Sequence, residues 1–137
     1  MAKHRLNHLL QRAQEAQKRA YAPYSDFPVG AALETTSGTV YTGCNIEISS
    51  YSLTLCAERV ALFKAVSEGE RTFTRIVVSA ATEAFCPPCG ACRQALADFA
   101  PDLEVVMLNN KGETRISKLA ELLPEAFGPE FLDRENP

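Results

Sequence analysis

Three cysteines in two separated segments place the strongest constraint on how this chain can fold. Cys56 stands alone, whereas Cys89 and Cys92 are three residues apart and directly follow a pair of prolines. In the first turn of a helix, residues three apart lie on one face, so Cys89 and Cys92 can share a metal ion. A third thiolate from Cys56 would leave the fourth position of tetrahedral zinc open, as in catalytic zinc sites. The fold has to bring residue 56 next to the 89–92 segment.

Glu58 is the second feature of this predicted site. Positions two apart in a regular helix do not face each other, so Glu58 is poorly placed to bind the same ion as Cys56. Its carboxylate can instead reach a water molecule at the open zinc position and carry protons. Apolar residues surround it in the 56–67 segment, which is typical of a buried helix. Burying a carboxylate costs free energy, and a catalytic role would explain its position. We therefore predict that Glu58 is the catalytic acid and base.

Composition narrows the class of protein. The chain has 137 residues, which predicts one domain over residues 1–137 with a frayed end at about 133–137. A formal net charge of −3 does not favour a nucleic acid partner, and no apolar run has the length of a membrane span. The N-terminal residues lack the apolar core of a signal peptide. Five cysteines, an odd number, favour metal binding over a disulfide framework and predict a cytoplasmic protein.

The apolar pattern predicts an α/β fold. A helix is expected over residues 6–21, followed by a hairpin of two strands, and then strands that alternate with helices. This order predicts a three-layer α/β/α sandwich around one mixed five-stranded sheet. The strands are expected at residues 29–35, 40–44, 74–80, 103–109 and 114–116. The later helices are expected at residues 56–67, 90–99 and 117–122, the first of them apolar on nearly all sides.

Five motifs in this order make the chain resemble the small cytidine deaminases that act on free nucleosides. The resemblance runs from about residue 24 to residue 132, and a ligand-x-Glu motif followed by Pro-Cys-x-x-Cys is typical of zinc nucleobase deaminases. The motifs are Phe27-Pro28-Val29-Gly30-Ala31-Ala32, Cys44-Asn45-Ile46-Glu47, Cys56-Ala57-Glu58-Arg59, Pro88-Cys89-Gly90-Ala91-Cys92-Arg93-Gln94 and Leu122-Leu123-Pro124-Glu125-Ala126-Phe127-Gly128-Pro129.

The resemblance implies deamination of cytidine and 2′-deoxycytidine in pyrimidine salvage, with one zinc ion per subunit. It implies that Phe27 packs on the pyrimidine and that Asn45 and Glu47 bind the ribose. The backbone at Ala57 is expected to contact the base, and Arg59 to tune the zinc ligands. It also implies a homotetramer with shared active sites. Two aromatic residues are then expected to reach a neighbouring subunit's site: Tyr51 and Phe127.

Several alternatives remain open at this stage. Cys86 could complete a closed, structural site of four cysteines, although Pro87-Pro88 favours an extended path that carries it away. A redox pair of Cys89 and Cys92 leaves Cys56 and Glu58 unexplained. His4 and His8, four residues apart, have metal-binding spacing without a third ligand in the sequence nearby. The substrate could also be another aminopyrimidine such as blasticidin S, and a structural zinc module that binds a protein partner is a further class.

Overall fold

A mixed sheet of five strands lies between helices on its two faces. This computed structural model describes residues 2–132, so the predicted fraying of residues 133–137 lies outside the described residues. Short 3₁₀ helices occur at Tyr51–Leu53 and Pro129–Leu132. The other elements are α1 (Ala2–Gln17), β1 (Val29–Thr35), β2 (Val40–Cys44), α2 (Ala57–Ser67), β3 (Phe73–Ala80), α3 (Gly90–Phe99), β4 (Glu104–Leu108), β5 (Thr114–Lys118) and α4 (Leu119–Leu122).

The strand order across the sheet is β2-β1-β3-β4-β5. Strand β1 pairs antiparallel with both β2 and β3, β3 pairs parallel with β4, and β4 pairs antiparallel with β5. The single parallel pair follows from the crossover through α3, because a parallel connection needs a helix between its strands. The predicted three-layer sandwich with one mixed sheet is confirmed.

Each face of the sheet has its own apolar cluster. Alternate residues of a strand point to opposite faces, so Ala32 and Leu33 of β1 belong to different clusters. Helix α1 covers one face, where Leu9 and Ala13 pack against Val77 and neighbouring strand residues. Helices α2 and α3 cover the other face, in the larger cluster. The predicted metal ligands therefore lie on the α2 and α3 side.

Two glycines allow the helices to approach the sheet closely. A Cβ atom on Gly43 would lie 2.6 Å from the backbone nitrogen of Ala61 and nearer still to the carbonyl oxygen of Ala57. A Cβ atom on Gly30 would meet the backbone of α1 in the same way, on the opposite face. Side chains at these positions would push the helices outward, so Gly43 sets where the start of α2 rests on β2.

Three predicted helix bounds are wrong: α1 begins four residues earlier, at Ala2, and strand pairing overrides the predicted end of α1 and the predicted start of α4. Helix α1 ends at Gln17 because Tyr21 forms a parallel bridge with Ile46. The backbone N–H of Tyr21 donates to the carbonyl of Asn45 at 2.9 Å, which fixes an extended conformation there. Helix α4 begins at Leu119 because β5 continues to Lys118, which pairs with Glu104.

The prediction that α2 is buried on all sides is wrong. Its inner face is fully buried at Ala57, Ala61 and Leu62, whereas the Phe63 side chain is 45% exposed. The apolar outer face of α2 is therefore open in the single chain. Among residues 2–132, no helix is long and apolar enough to cross a membrane.

Candidate active site

The three predicted metal ligands come together where the N-termini of α2 and α3 meet. Cys56 is the residue before α2, Cys89 is the residue before α3, and Cys92 lies buried in the first turn of α3. The Sγ atoms of Cys56 and Cys89 are 3.6 Å apart, and those of Cys89 and Cys92 are 3.4 Å apart. Among the described residues, this is the one group of metal-ligating side chains within 4.8 Å of one another.

The spacing of the thiols fits zinc. Tetrahedral zinc with Zn–S bonds of about 2.3 Å places its sulfur ligands about 3.8 Å apart, close to the observed separations. Both helix N-termini expose partial positive charge, which favours thiolates. A hydrogen bond with Cys92 and the guanidinium of Arg59 lower the pKa of Cys56 to about 5. The donor set can therefore hold zinc, with three protein ligands.

Glu58 lies in the first turn of α2 and is 4% exposed. Its Oε1 atom is buried and accepts no hydrogen bond from the residues that the structure describes. Burial raises the pKa of Glu58 to about 7. An unsatisfied buried oxygen costs free energy, so it indicates a group that binds here. A carboxyl group with this pKa can both accept and donate a proton near neutral pH.

The two arginines near the ligands have different roles. Arg59 Nη2 donates to Cys56 Sγ at 3.6 Å. Arg93 donates instead to the carbonyls of Pro88 and Leu122, each at 2.8 Å. Arg93 therefore connects the loop before α3 to the C-terminal segment.

Asn45 and Glu47 both reach back to the segment before β1. Asn45 is buried; its Oδ1 accepts the N–H of Val29 at 2.9 Å, and its Nδ2 donates to the carbonyl of Phe27 at 2.8 Å. The Glu47 carboxylate accepts the N–H groups of residues 24 and 25 at 3.0 and 3.1 Å, and the hydroxyl of Ser25. The Ser25 contact is the largest cause that lowers the pKa of Glu47. These contacts bring three predicted substrate-binding residues into one cluster.

Sequence reasoning missed Ser25. Its hydroxyl connects Glu47 to the backbone N–H of Phe27, which it accepts at 3.1 Å. The only sequence feature that points to Ser25 is its place two residues before Phe27, the residue with which the first family motif begins. A hydroxyl in an irregular segment has no periodicity that could identify it.

The three aromatic residues of the predicted site lie at the surface. Phe27 is 36% exposed, and Tyr51 is 60% exposed with its ring edge-to-face on Tyr24 at 6.3 Å. Phe127 stacks on Phe131 at 5.4 Å, and its carbonyl accepts a hydrogen bond from the Gln94 side chain at 2.7 Å. None of the three metal-ligand cysteines is among the described residues that line the cavity of about 570 Å³ beside Phe127.

The two other cysteines stay outside the group of three. Cys86 is half-buried, its Sγ approaches the carbonyl of Pro87 at 3.8 Å, and burial raises the pKa of its thiol. Cys44 is half-buried and donates to the carbonyl of Arg19 at 3.4 Å. The arrangement favours an open site of three cysteines over a closed site of four.

Known proteins are similar to this chain in sequence and in fold. Residues 3–108 match the family described as cytidine and deoxycytidylate deaminase zinc-binding region. A cytidine deaminase from Sporosarcina psychrophila is 51% identical over 125 residues, which cover 90% of this chain and 92% of that protein. The crystal structure of cytidine deaminase from Burkholderia pseudomallei has a TM-score of 0.86 and 48% identity, and it covers 88% of this chain and 98% of that chain. For the Mycobacterium tuberculosis enzyme the TM-score is 0.78 and the identity 37%, with coverage of 90% and 97%. The chain therefore belongs to the zinc-binding cytidine and deoxycytidylate deaminase family of enzymes.

Proposed function

We propose that this enzyme hydrolyses free cytidine and 2′-deoxycytidine to the corresponding uridines and ammonia, with one zinc ion per chain. The observation that carries the proposal is the buried, unpartnered oxygen of Glu58 beside the thiols of Cys56, Cys89 and Cys92. A proton carrier next to an open zinc position is the arrangement that hydrolytic deamination of an aminopyrimidine needs.

Cys56, Cys89 and Cys92 would hold the zinc ion. When bound, zinc supplies Lewis acidity that makes water a nucleophile near neutral pH. Glu58 takes one proton from the attacking water and passes it to N3, and it then carries the second proton of that oxygen to the leaving amino group of the pyrimidine. The C4–N bond breaks, ammonia leaves, and a carbonyl remains at C4. A carboxyl pKa of about 7 suits both directions of proton transfer.

The cluster around Phe27 is proposed to hold the nucleoside. Phe27 presents a partly exposed ring that can pack on the pyrimidine, and the backbone of Ala57 beside Glu58 can contact the base. A carboxylate accepts about four hydrogen bonds, and the three that Glu47 accepts leave one site for a ribose hydroxyl. The amide nitrogen of Asn45 has a second hydrogen for the same purpose.

A free nucleoside fits better than a nucleotide. Residues 49–55, which follow the proposed ribose contacts, contain no lysine, arginine or histidine. Phosphate recognition usually relies on such cations or on backbone N–H groups at a helix start. We therefore assign the monophosphate as a poor substrate. A nucleoside substrate and reduced thiols fit a role in pyrimidine salvage in the cytoplasm.

The apolar surface supports the homotetramer with shared sites. Large apolar side chains are more than one-third exposed on several elements of the single chain, and some of them adjoin, since the ring of Tyr24 contacts that of Tyr51 and the ring of Phe127 contacts that of Phe131. They include Tyr21, Tyr24, Ile46, Tyr51, Leu53, Phe63, Phe127 and Phe131. In the proposed assembly, Tyr51 and Phe127 of one subunit complete the site of a neighbour. Light scattering should give the mass of a tetramer, and a fully active monomer would overturn this part of the proposal.

The deciding experiment follows ultraviolet absorbance of cytidine, 2′-deoxycytidine, cytidine monophosphate and blasticidin S with the zinc-loaded protein. We expect rapid loss of absorbance with the two nucleosides only. Glu58→Gln should keep its zinc and lose 10²-fold or more of the turnover, roughly the contribution of a general acid and base. Glu15→Gln, at an exposed carboxylate on α1, is the control. A zinc-loaded protein without turnover on any aminopyrimidine would favour the structural zinc module instead.

A further inference from the structure

The hydroxyl of Ser25 lies between two groups that the proposed function assigns to different parts of the nucleoside. Its Oγ donates to Oε2 of Glu47 and accepts the backbone N–H of Phe27 at 3.1 Å. A carboxylate only accepts hydrogen bonds, so the single hydroxyl proton of Ser25 is committed to Glu47. The lone pairs of the Ser25 oxygen are then available to accept the N–H of Phe27. The direction of both hydrogen bonds is therefore fixed.

Phe27 is held on both sides of its α-carbon. Ser25 accepts its N–H, and Asn45 donates to its carbonyl at 2.8 Å. Asp26, between Ser25 and Phe27, has a φ of 54°, in the left-handed region that side chains other than glycine rarely adopt. Such a conformation persists only where surrounding contacts fix it. The N–H of Asp26 donates to the carbonyl of Ala22 at 3.0 Å, and the hydrogen bond from the N–H of Phe27 to Ser25 spans Asp26.

We propose that Ser25 is a positioning residue of the deamination reaction. Its hydroxyl fixes the carboxylate of Glu47 and the backbone of Phe27 relative to each other, and so aligns the ribose contact with the wall for the pyrimidine. This inference rests on the proposed function, in which those two residues contact the two halves of one nucleoside. Ser25 acts through its neighbours and does not touch the reacting atoms.

The test compares Ser25→Ala with Ser25→Thr, which keeps the hydroxyl at this exposed position. Steady-state kinetics are measured on cytidine and on 2′,3′-dideoxycytidine, which has no ribose 2′- or 3′-hydroxyl for Glu47. We expect Ser25→Ala to raise KM for cytidine about tenfold, the size of one lost charge-assisted hydrogen bond, with kcat within about threefold. Ser25→Thr should restore KM to within about threefold. The rise in KM should be smaller on 2′,3′-dideoxycytidine.

Ser67→Ala is the matched control, because it too removes one exposed serine hydroxyl, which in this case donates to the backbone carbonyl of Lys64 at the end of α2. An unchanged KM in Ser25→Ala, or an equal rise on both substrates, would overturn the positioning role. Failure of threonine to restore KM would do the same. If wild-type protein does not deaminate cytidine, the proposed function fails, whereas active wild type with an equally active Ser25→Ala refutes only the role of Ser25. If Ser25→Ala does not fold, Ser25→Thr and Ser25→Cys are compared instead, because a thiol is a weaker hydrogen-bond donor than a hydroxyl.

Discussion

The guanidinium of Arg59 donates to the sulfur of Cys56 across 3.6 Å, one helical turn into α2. Three thiolates around a zinc ion give a net negative charge by formal counting, which opposes deprotonation of water at the site. A cation next to one sulfur offsets part of that charge, and so do the two helix N-termini. We therefore propose that Arg59 tunes the ligands more than it holds them in place.

Arg59→Gln is expected to lower kcat by about tenfold or more, while zinc content stays near one ion per chain. The reason is that glutamine keeps much of the side-chain volume but removes the positive charge beside Cys56. Zinc per chain by atomic emission and kcat on cytidine are measured on the same preparation. Arg71→Gln, at an exposed arginine after α2, is the control. A parallel loss of zinc and activity would show that Arg59 retains the metal instead.

The role of the fourth nearby cysteine can be tested by two serine substitutions. Cys92→Ser should lose zinc, because Cys92 is fully buried and contributes one of three sulfur ligands. Cys86→Ser should keep zinc at one ion per chain, because Cys86 stands outside that group. Zinc content after gel filtration in a weak chelator distinguishes the two variants. Equal loss of zinc from both would support a closed site of four cysteines.

The parts of the fold that local sequence dictates were predicted well. The bounds of β1 and β2 agree with the prediction because a Ser-Gly turn separates two short apolar runs. The end of α1 could not be predicted, since the pairing of Tyr21 with Ile46 is a contact between distant residues. The same applies to the site. The spacing of its cysteines is visible in the sequence, whereas the role of Ser25 depends on where the fold places Glu47.

Gly43→Ala is expected to lower activity together with stability. A Cβ atom at residue 43 would press on the backbone of Ala57 and Ala61, so α2 has to move outward. This movement shifts Glu58, one residue from Ala57, relative to Cys89 and Cys92. Small displacements of catalytic groups reduce rates strongly, and we expect a loss of about tenfold or more in kcat.

Thr42→Ala is the control for Gly43→Ala. Thr42 is the neighbouring buried residue on β2 and faces the α1 side of the sheet, where it pairs with Ala32. Thermal unfolding and kcat of the folded protein are measured for both variants. Thr42→Ala should lose stability with kcat within about twofold. Full activity of folded Gly43→Ala would show that the start of α2 tolerates displacement.

The final prediction concerns the dependence of stability on pH through Glu47. The Ser25 hydroxyl and two backbone N–H groups lower the pKa of Glu47 below its ordinary value of 4.5. A carboxyl group with a lowered pKa in the folded state stabilises the fold above its unfolded pKa, and this contribution is lost as the pH falls through the folded pKa. Glu47→Gln cannot ionise and has no such contribution. The midpoint of thermal unfolding should therefore be lower in Glu47→Gln than in wild type, by a constant difference, above about pH 5.

Below that pH the difference between the two proteins should narrow, because Glu47 becomes protonated in the wild type. Both proteins have the same zinc ligands, so loss of zinc in acid affects both alike and cancels in the difference. Glu15→Gln, at an exposed carboxylate on α1, is the control for the removal of one negative charge. A difference that stays constant down to pH 3 would mean that the hydrogen bonds of Glu47 do not depend on its charge. If the difference in unfolding midpoint widens in acid, the pKa of Glu47 is raised in the folded protein and not lowered.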